Sequence, residues 1–388
     1  MKKIALVVRV FDRHGGLELY THKVLEGLLD AGLDVTVFCA EKKSNFSHAN
    51  LEIVTLAEPQ QKLDKAKRQK YNEAGLNELL KARRGEFDLV HSQNCPIDAP
   101  DLVTFHQHTA MRFSESGREL EALINKIKCR LHPAYKIRIE QDRKLCQSAI
   151  MRSFVSEICR QDYYKHYMPD ALAARPYLIL PPGTEVDLEA AEATPPVKLK
   201  PFTFIFVGKG FSKKGLDTLF QACRILKQER RDFKLLVVGL KNSLYNRFLA
   251  SKAGIADRVQ LMGFRKDLAT LLPQTSAIVV PSKCEAYGMS PVEAMAVGTP
   301  AIVSTMAGVT EELLDGKEAL HLKDHLDAAE LAGLMAQLMD DQTLYQTLQI
   351  KGKEKAAEIT WRRTIKLTLE AYEKTLQLKG SGLANGKA

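Results

Sequence analysis

Short, unbroken apolar runs and stretches of helical spacing alternate along almost the whole chain. Apolar runs at residues 4–8, 35–40, 51–56, 87–92, 102–106 and 149–156 predict strands, residues 17–31 and 60–84 predict helices between them, and residues 178–183 read LILPPG before an acidic, proline-bearing stretch. A second series begins at residues 202–207 and continues at 234–239, 259–264, 277–281 and 301–304, with a helix starting over 291–296 and mostly helical sequence over 327–374. Runs with no polar alternation are those of strands covered on both faces, so each series predicts a doubly wound α/β domain with a parallel sheet. Between the series, residues 185–201 mix small and charged residues around Pro195-Pro196, which reads as an interdomain linker with the boundary near residue 190. A chain of 388 residues is too long for one ordinary core and suits two.

In such sheets ligands bind beyond the carboxyl ends of the strands, so the turns there are where chemistry is sought. Residues 279–301, VVPSKCEAYGMSPVEAMAVGTPA, read as strand, loop and helix N-terminus with Glu285 and Glu293 on either side of the turn. The backbone N–H groups of Gly288, Met289 and Ser290 would be open to a phosphate, and the two carboxylates to sugar hydroxyls. A solvated loop glutamate and a helix-capping glutamate are the plainer alternative. After the strand at 202–207 comes Gly208-Lys-Gly-Phe-Ser-Lys-Lys-Gly215, whose Lys209, Lys213 and Lys214 suit a diphosphate although the Walker spacing is missing. Gly15 and Gly16 open the first helix and permit close backbone approach to a ligand.

Glu285-Ala-Tyr-Gly-Met-Ser-Pro-Val-Glu293, followed by Ala294-Met-Ala-Val-Gly-Thr-Pro300, resembles the signature of retaining glycosyltransferases of family 4. Within that family the chain is most similar to hexosyltransferases that build lipopolysaccharide cores, with weaker matches at Gly15-Gly16 and Thr104-Phe-His106. The resemblance implies the GT-B fold: two doubly wound, Rossmann-like domains facing a central cleft. Residues 1–190 would form the acceptor-side domain and 191–360 the nucleotide-sugar domain. Residues 361–378 would be a helix crossing back to the first domain, and 379–388 a flexible tail. It implies that His106 lies against the transferred sugar, that Lys209 and Lys214 hold the leaving phosphate, and that Glu285 binds the donor sugar. Glu293 would bind the ribose and Gly15 and Gly16 the donor or acceptor. Gly288, Met289 and Ser290 would meet the diphosphate and Arg265 the base. His108 and Arg112 would be acceptor-side residues. Pro182-Gly-Thr-Glu-Val-Asp187 stands where family members often have Asn-Gly-Val-Asp, a departure at the hinge.

Composition adds little to this picture, but charge does. Apolar content of 45% with no long uncharged apolar run predicts a globular chain without a span, and Met1-Lys-Lys leads directly into strand pattern, so a cytoplasmic location is expected. Seven cysteines stand singly without metal-ligand spacing. Of the net charge of +9, much sits in residues 112–152, where ten Lys or Arg face five Asp or Glu among interleaved leucines and isoleucines. That basic amphipathic segment predicts peripheral docking on an anionic membrane at the inner face, with an ordinary packed helix pair as the alternative. No nucleic-acid motif accompanies it. No D-x-D occurs, so neither a metal nor another cofactor is expected, and the donor is expected to be a nucleotide-diphosphate sugar, UDP-linked, with a glycan or lipid-linked acceptor. Two other readings stay open: a nucleotide-sugar isomerase of the same fold and a non-catalytic membrane scaffold.

Overall fold

The computed structural model describes residues 2–109, 119–168, 176–184 and 200–381; Arg112, most of the expected linker and residues 382–388 lie outside them. The chain divides into two compact units. One comprises the chain to Glu115, Glu121–Pro182 and the chain from Trp361 onward; the other is built on Gly183–Thr360. The division falls at Pro182/Gly183, a few residues before the expected boundary.

In the first unit, strands β1 (Lys3–Phe11), β2 (Asp34–Lys42), β3 (Leu51–Thr55), β4 (Leu89–Gln93), β5 (Leu102–Phe105), β6 (Met151–Phe154) and β7 (Tyr177–Ile179) form one sheet in the order β3-β2-β1-β4-β5-β6-β7. Every pairing is parallel. Ile4 to Val8 are fully buried, which is why their run carries no polar alternation. Helix α1 (Gly16–Asp30) follows β1, and α2 (Lys65–Arg83) follows β3, starting where the Asp64 carboxylate accepts from the Lys67 N–H at 2.9 Å. The basic segment forms α3 (Glu119–Leu131) and α4 (Pro133–Ser148), with His132 Nδ1 accepting from the Ala134 N–H between them. On α3, Leu120 and Leu131 are each 71% exposed, and Leu123, Ile124 and Ile127 are exposed as well. Helix α5 (Glu157–Tyr167) follows β6.

The second unit carries β8 (Phe202–Val207), β9 (Phe233–Val238), β10 (Val259–Gly263), β11 (Ala277–Val280), β12 (Ala301–Ser304) and β13 (Leu320–Leu322), in the order β10-β9-β8-β11-β12-β13. These are also all parallel. Its helices are α6 (Leu216–Gln228), α7 (Leu244–Lys252), α8 (Leu268–Leu271), α9 (Ser290–Ala296), α10 (Ala328–Asp340) and α11 (Gln342–Ala356). The core runs from Phe204, Phe206 and Val237 on the sheet to Leu219, Leu226, Leu331 and Met335 on the helices. Helix α7 was not legible from periodicity because it exposes Leu244, Tyr245 and Phe248, the reverse of an ordinary amphipathic pattern. The last helix, α12 (Trp361–Gly380), belongs to the first unit, where Thr364 Oγ1 donates to the Pro181 carbonyl at 2.8 Å and the Tyr372 hydroxyl lies 2.9 Å from His91 Nδ1.

In each sheet the strand order reverses beside the first strand, between β1 and β4 and between β8 and β11. Such switch points open crevices at the carboxyl ends of the strands.

Candidate active site

In the second unit the turns after β8 and β11 emerge at the switch point and lie side by side. The Lys283 N–H donates to the Lys213 carbonyl at 3.1 Å. Gly215 begins α6 with φ of +71°, and any Cβ there would collide with the Pro281 carbonyl, so only glycine allows the two turns to approach this closely. Lys214, its stem against Gly208, reaches across and forms an ion pair with the Glu285 carboxylate. Both side chains remain partly open to solvent.

The turn that carries Glu285 is held on its far side. The Glu285 N–H donates to Met306 and its carbonyl accepts from Gly308, both at 3.2 Å, while the Val309 N–H donates to Tyr287 at 2.9 Å and the Tyr287 hydroxyl to Glu312 at 2.9 Å. Gly288 then turns the chain with φ of +97°, where a Cβ would crowd the Glu285 side chain at 3.2 Å. Helix α9 follows without a side-chain cap. The N–H groups of Gly288, Met289 and Ser290 have no acceptor among the described residues, as expected of an uncapped first turn. Glu293 lies in that turn. Its carboxylate has no partner among the described residues, and burial raises its pKa above the ordinary glutamate value. An edge of it is still accessible, so it is a desolvated acceptor open to a ligand.

The remaining second-unit residues lie further along the crevice. Lys209 is exposed, with its ammonium 5.2 Å from the Phe264 ring centroid. Arg265, next to Phe264, is tied to Asp267 by a two-pronged ion pair that raises its pKa. The structure therefore brings Lys214, Glu285, Gly288, Met289, Ser290 and Glu293 together, and places Lys209 with Arg265 at the end of β10.

In the first unit Gly15 caps α1 with φ of +127°, and the Glu18 carboxylate folds back over it so closely that a Cβ would strike it; Gly16 is open. His106 sits just past β5. Its Nε2 is 2.6 Å from Gln93 Oε1, its N–H donates to Asn94 Oδ1 at 3.2 Å, and its ring packs edge-on against Tyr20 at 4.4 Å. Burial lowers its pKa to about 3, so the imidazole is neutral at any working pH. Because the Gln93 oxygen can only accept, Nε2 carries the proton and Nδ1 keeps a lone pair. His108, expected on the acceptor side, is buried instead: Nδ1 is 3.1 Å from Asp162, which also accepts from the Thr109 N–H at 2.7 Å. Helix α5 covers it, so it anchors the chain and presents no surface to an acceptor. Arg112 lies outside the described residues.

Residues 189–355 match the family model described as glycosyl transferases group 1. A D-inositol 3-phosphate glycosyltransferase of Paenarthrobacter aurescens (strain TC1) is 21% identical over 399 residues, covering 93% of each chain. Residues 189–355, nearly the whole of the second unit, are thus similar to glycosyl transferases of group 1. The fold of the chain is GT-B, and the structure of WaaG, a glycosyltransferase involved in lipopolysaccharide biosynthesis, shares it: TM-score 0.73, 18% identity, 99% of this chain and 100% of that one. Anabaena Alr3699/HepE, solved in complex with UDP and glucose, is likewise similar, with TM-score 0.66, 14% identity, and 96% and 100% coverage.

Several features of this candidate site were invisible in the sequence. Lys283 reads as an ordinary loop lysine but is buried. Gln93 is enclosed on β4, where its amide nitrogen reaches His91 Nε2 at 3.3 Å while its oxygen orients His106. Asn94 holds a positive φ of 50°, which asparagine tolerates better than most residues; the Asn-Cys-Pro run was the one available signal.

Proposed function

We propose that this protein is a retaining, metal-independent hexosyltransferase that moves a hexose from a UDP-linked sugar to a glycan or lipid-linked acceptor of the lipopolysaccharide core or cell envelope. The observation that carries the reading is the pair of adjoining turns, where Lys214 meets Glu285 beside the unpaired amides of residues 288–290 and the unpartnered Glu293. Departure of a nucleoside diphosphate demands neutralisation of charge growing on the bridging oxygen. Lys214, Lys209 and the α9 amides supply it, the work a bound cation does in other enzymes. Glu293 accepts from the ribose hydroxyls and Glu285 from the donor sugar. Because Glu285 holds Lys214 before any ligand arrives, donor binding exchanges that ion pair for contacts to phosphate and hydroxyl. His106, neutral and oriented by Gln93, stabilises the positive charge at the anomeric carbon through its lone pair or backbone carbonyl. The acceptor attacks from the side the diphosphate leaves, through a short-lived oxocarbenium-like state, so configuration is retained.

The exposed apolar residues of α3 lie on the same helix as Lys126, Lys128 and Arg130, a combination that supports peripheral docking on the inner face of the cytoplasmic membrane. Among the described residues no helix is long and apolar enough to cross a membrane.

A panel of radiolabelled sugar nucleotides, incubated with and without acceptor extract and with excess EDTA, tests the reading. One donor is expected to be consumed in the presence of acceptor, with EDTA making no difference and the product anomer matching the donor's. Full loss in EDTA restored by Mg²⁺, or an inverted anomer, refutes the corresponding part.

A further inference from the structure

Lys283 is 1% exposed, yet it is a lysine in a loop. Its ammonium donates to Ser212 Oγ and Asp217 Oδ2, both at 2.8 Å, and its backbone N–H reaches the Lys213 carbonyl. Ser212 and Asp217 stand on either side of Lys214, and Lys283 is two residues before Glu285. One buried side chain therefore ties the lysine-bearing turn, at both of its ends, to the glutamate-bearing turn.

A cation enclosed to this degree needs partners to be tolerated, and a buried ion pair seldom stabilises a fold more than apolar residues of the same size would. Stability alone is thus a weak reason for a lysine at this place. Asp217, in the first turn of α6, is three residues from Lys214 on the chain, with only the turn at Gly215 and Leu216 between them. Left without Lys283, it would be a rival to Glu285 for Lys214.

We propose that Lys283 is a positioning residue: it occupies Asp217 and Ser212, and so fixes the register in which Lys214 meets Glu285. The inference rests on the assignment of Lys214 and Glu285 to the donor. Lys283 itself is enclosed and touches no substrate. Its contribution is geometric, and a displacement of about 1 Å at such a site is enough to lower turnover by up to roughly a hundredfold.

Three variants test it: Lys283→Met, Asp217→Asn and the two combined. The single Lys283→Met change strands the Asp217 charge and is expected to lower both the melting temperature and turnover. The double variant removes the stranded charge. If Lys283 positions the site, the double variant regains the wild-type melting temperature while kcat for UDP release stays about tenfold or more below wild type, with donor KM moved far less than kcat. Amide hydrogen exchange supplies a readout that needs no turnover: residues 208–215 and 282–286 are expected to exchange faster in the double variant than in wild type at equal overall stability. A double variant that recovers kcat to within twofold, or whose exchange in both turns equals wild type, overturns the proposal and leaves Lys283 a structural pair. A wild-type protein that consumes no sugar nucleotide would refute the proposed function instead, and the exchange measurement would still decide the positioning role.

Discussion

Replacing Glu293 by glutamine is expected to push stability and nucleotide binding in opposite directions. The carboxylate is desolvated and has no partner among the described residues, so in the ligand-free protein its charge is destabilising. Glutamine keeps the shape and removes the charge. An unsatisfied buried polar group costs about 1–3 kcal/mol, and relieving the low end of that range raises the melting temperature by about 2–4 °C in a domain of this size. Binding responds the other way. A hydrogen bond to a charged acceptor contributes about 1.5–3 kcal/mol, so losing it weakens UDP by roughly 10- to 100-fold. The pH dependence follows from the same shift. The folded pKa lies above that of an unfolded glutamate, so the folded state holds more proton between the two values. Wild-type stability from this group therefore rises as pH falls through that interval. UDP affinity falls over the same interval, as the acceptor is protonated. Both slopes are absent in Glu293→Gln. Differential scanning calorimetry and isothermal titration with UDP across pH measure both. A variant that is less stable than wild type, or that binds UDP equally well, refutes the view that this carboxylate is held unpaired for the nucleotide.

Other expectations concern single features. Lys214→Ala and Lys209→Ala are each expected to lower kcat by on the order of a hundredfold while leaving the fold intact, as loss of one transition-state charge partner does; near-normal turnover in either variant removes that lysine from the assignment. Burial lowers the His91 pKa to about 3, so protonation of the unfolded chain pulls against folding as pH drops from the ordinary histidine value towards 3. The unfolding free energy is expected to fall by up to about 1.4 kcal/mol per pH unit more steeply in wild type than in His91→Gln, and equal slopes in denaturant melts contradict it. Binding to anionic vesicles is expected to fall with salt and to drop by roughly a hundredfold when Lys126, Lys128 and Arg130 become glutamine, at about 1 kcal/mol per cation; equal sedimentation with neutral vesicles returns α3 to ordinary surface.

The sequence by itself determined the fold class and the turns in which the candidate site is sought. Strands covered on both faces, such as Phe202–Val207, must be apolar throughout, and that local requirement is written in the chain whatever its neighbours. The glycine-rich turn after β8 and the glutamates around β11 were legible for the same reason, since a strand end followed by a helix start defines where a crevice opens. Three outcomes belonged to the tertiary structure alone. Lys214 and Glu285 are 71 residues apart and meet only because β8 and β11 are neighbours in the sheet. Lys283 and Lys209, both loop lysines, end in opposite environments, one enclosed between Ser212 and Asp217 and the other exposed over Phe264. His106 and His108, two residues apart, part likewise, because α5 brings Asp162 over the second and leaves the first to Gln93 and Tyr20. Periodicity records whether a segment is buried; it carries no record of which distant segment does the burying, and at this site that partner decides what each side chain can do.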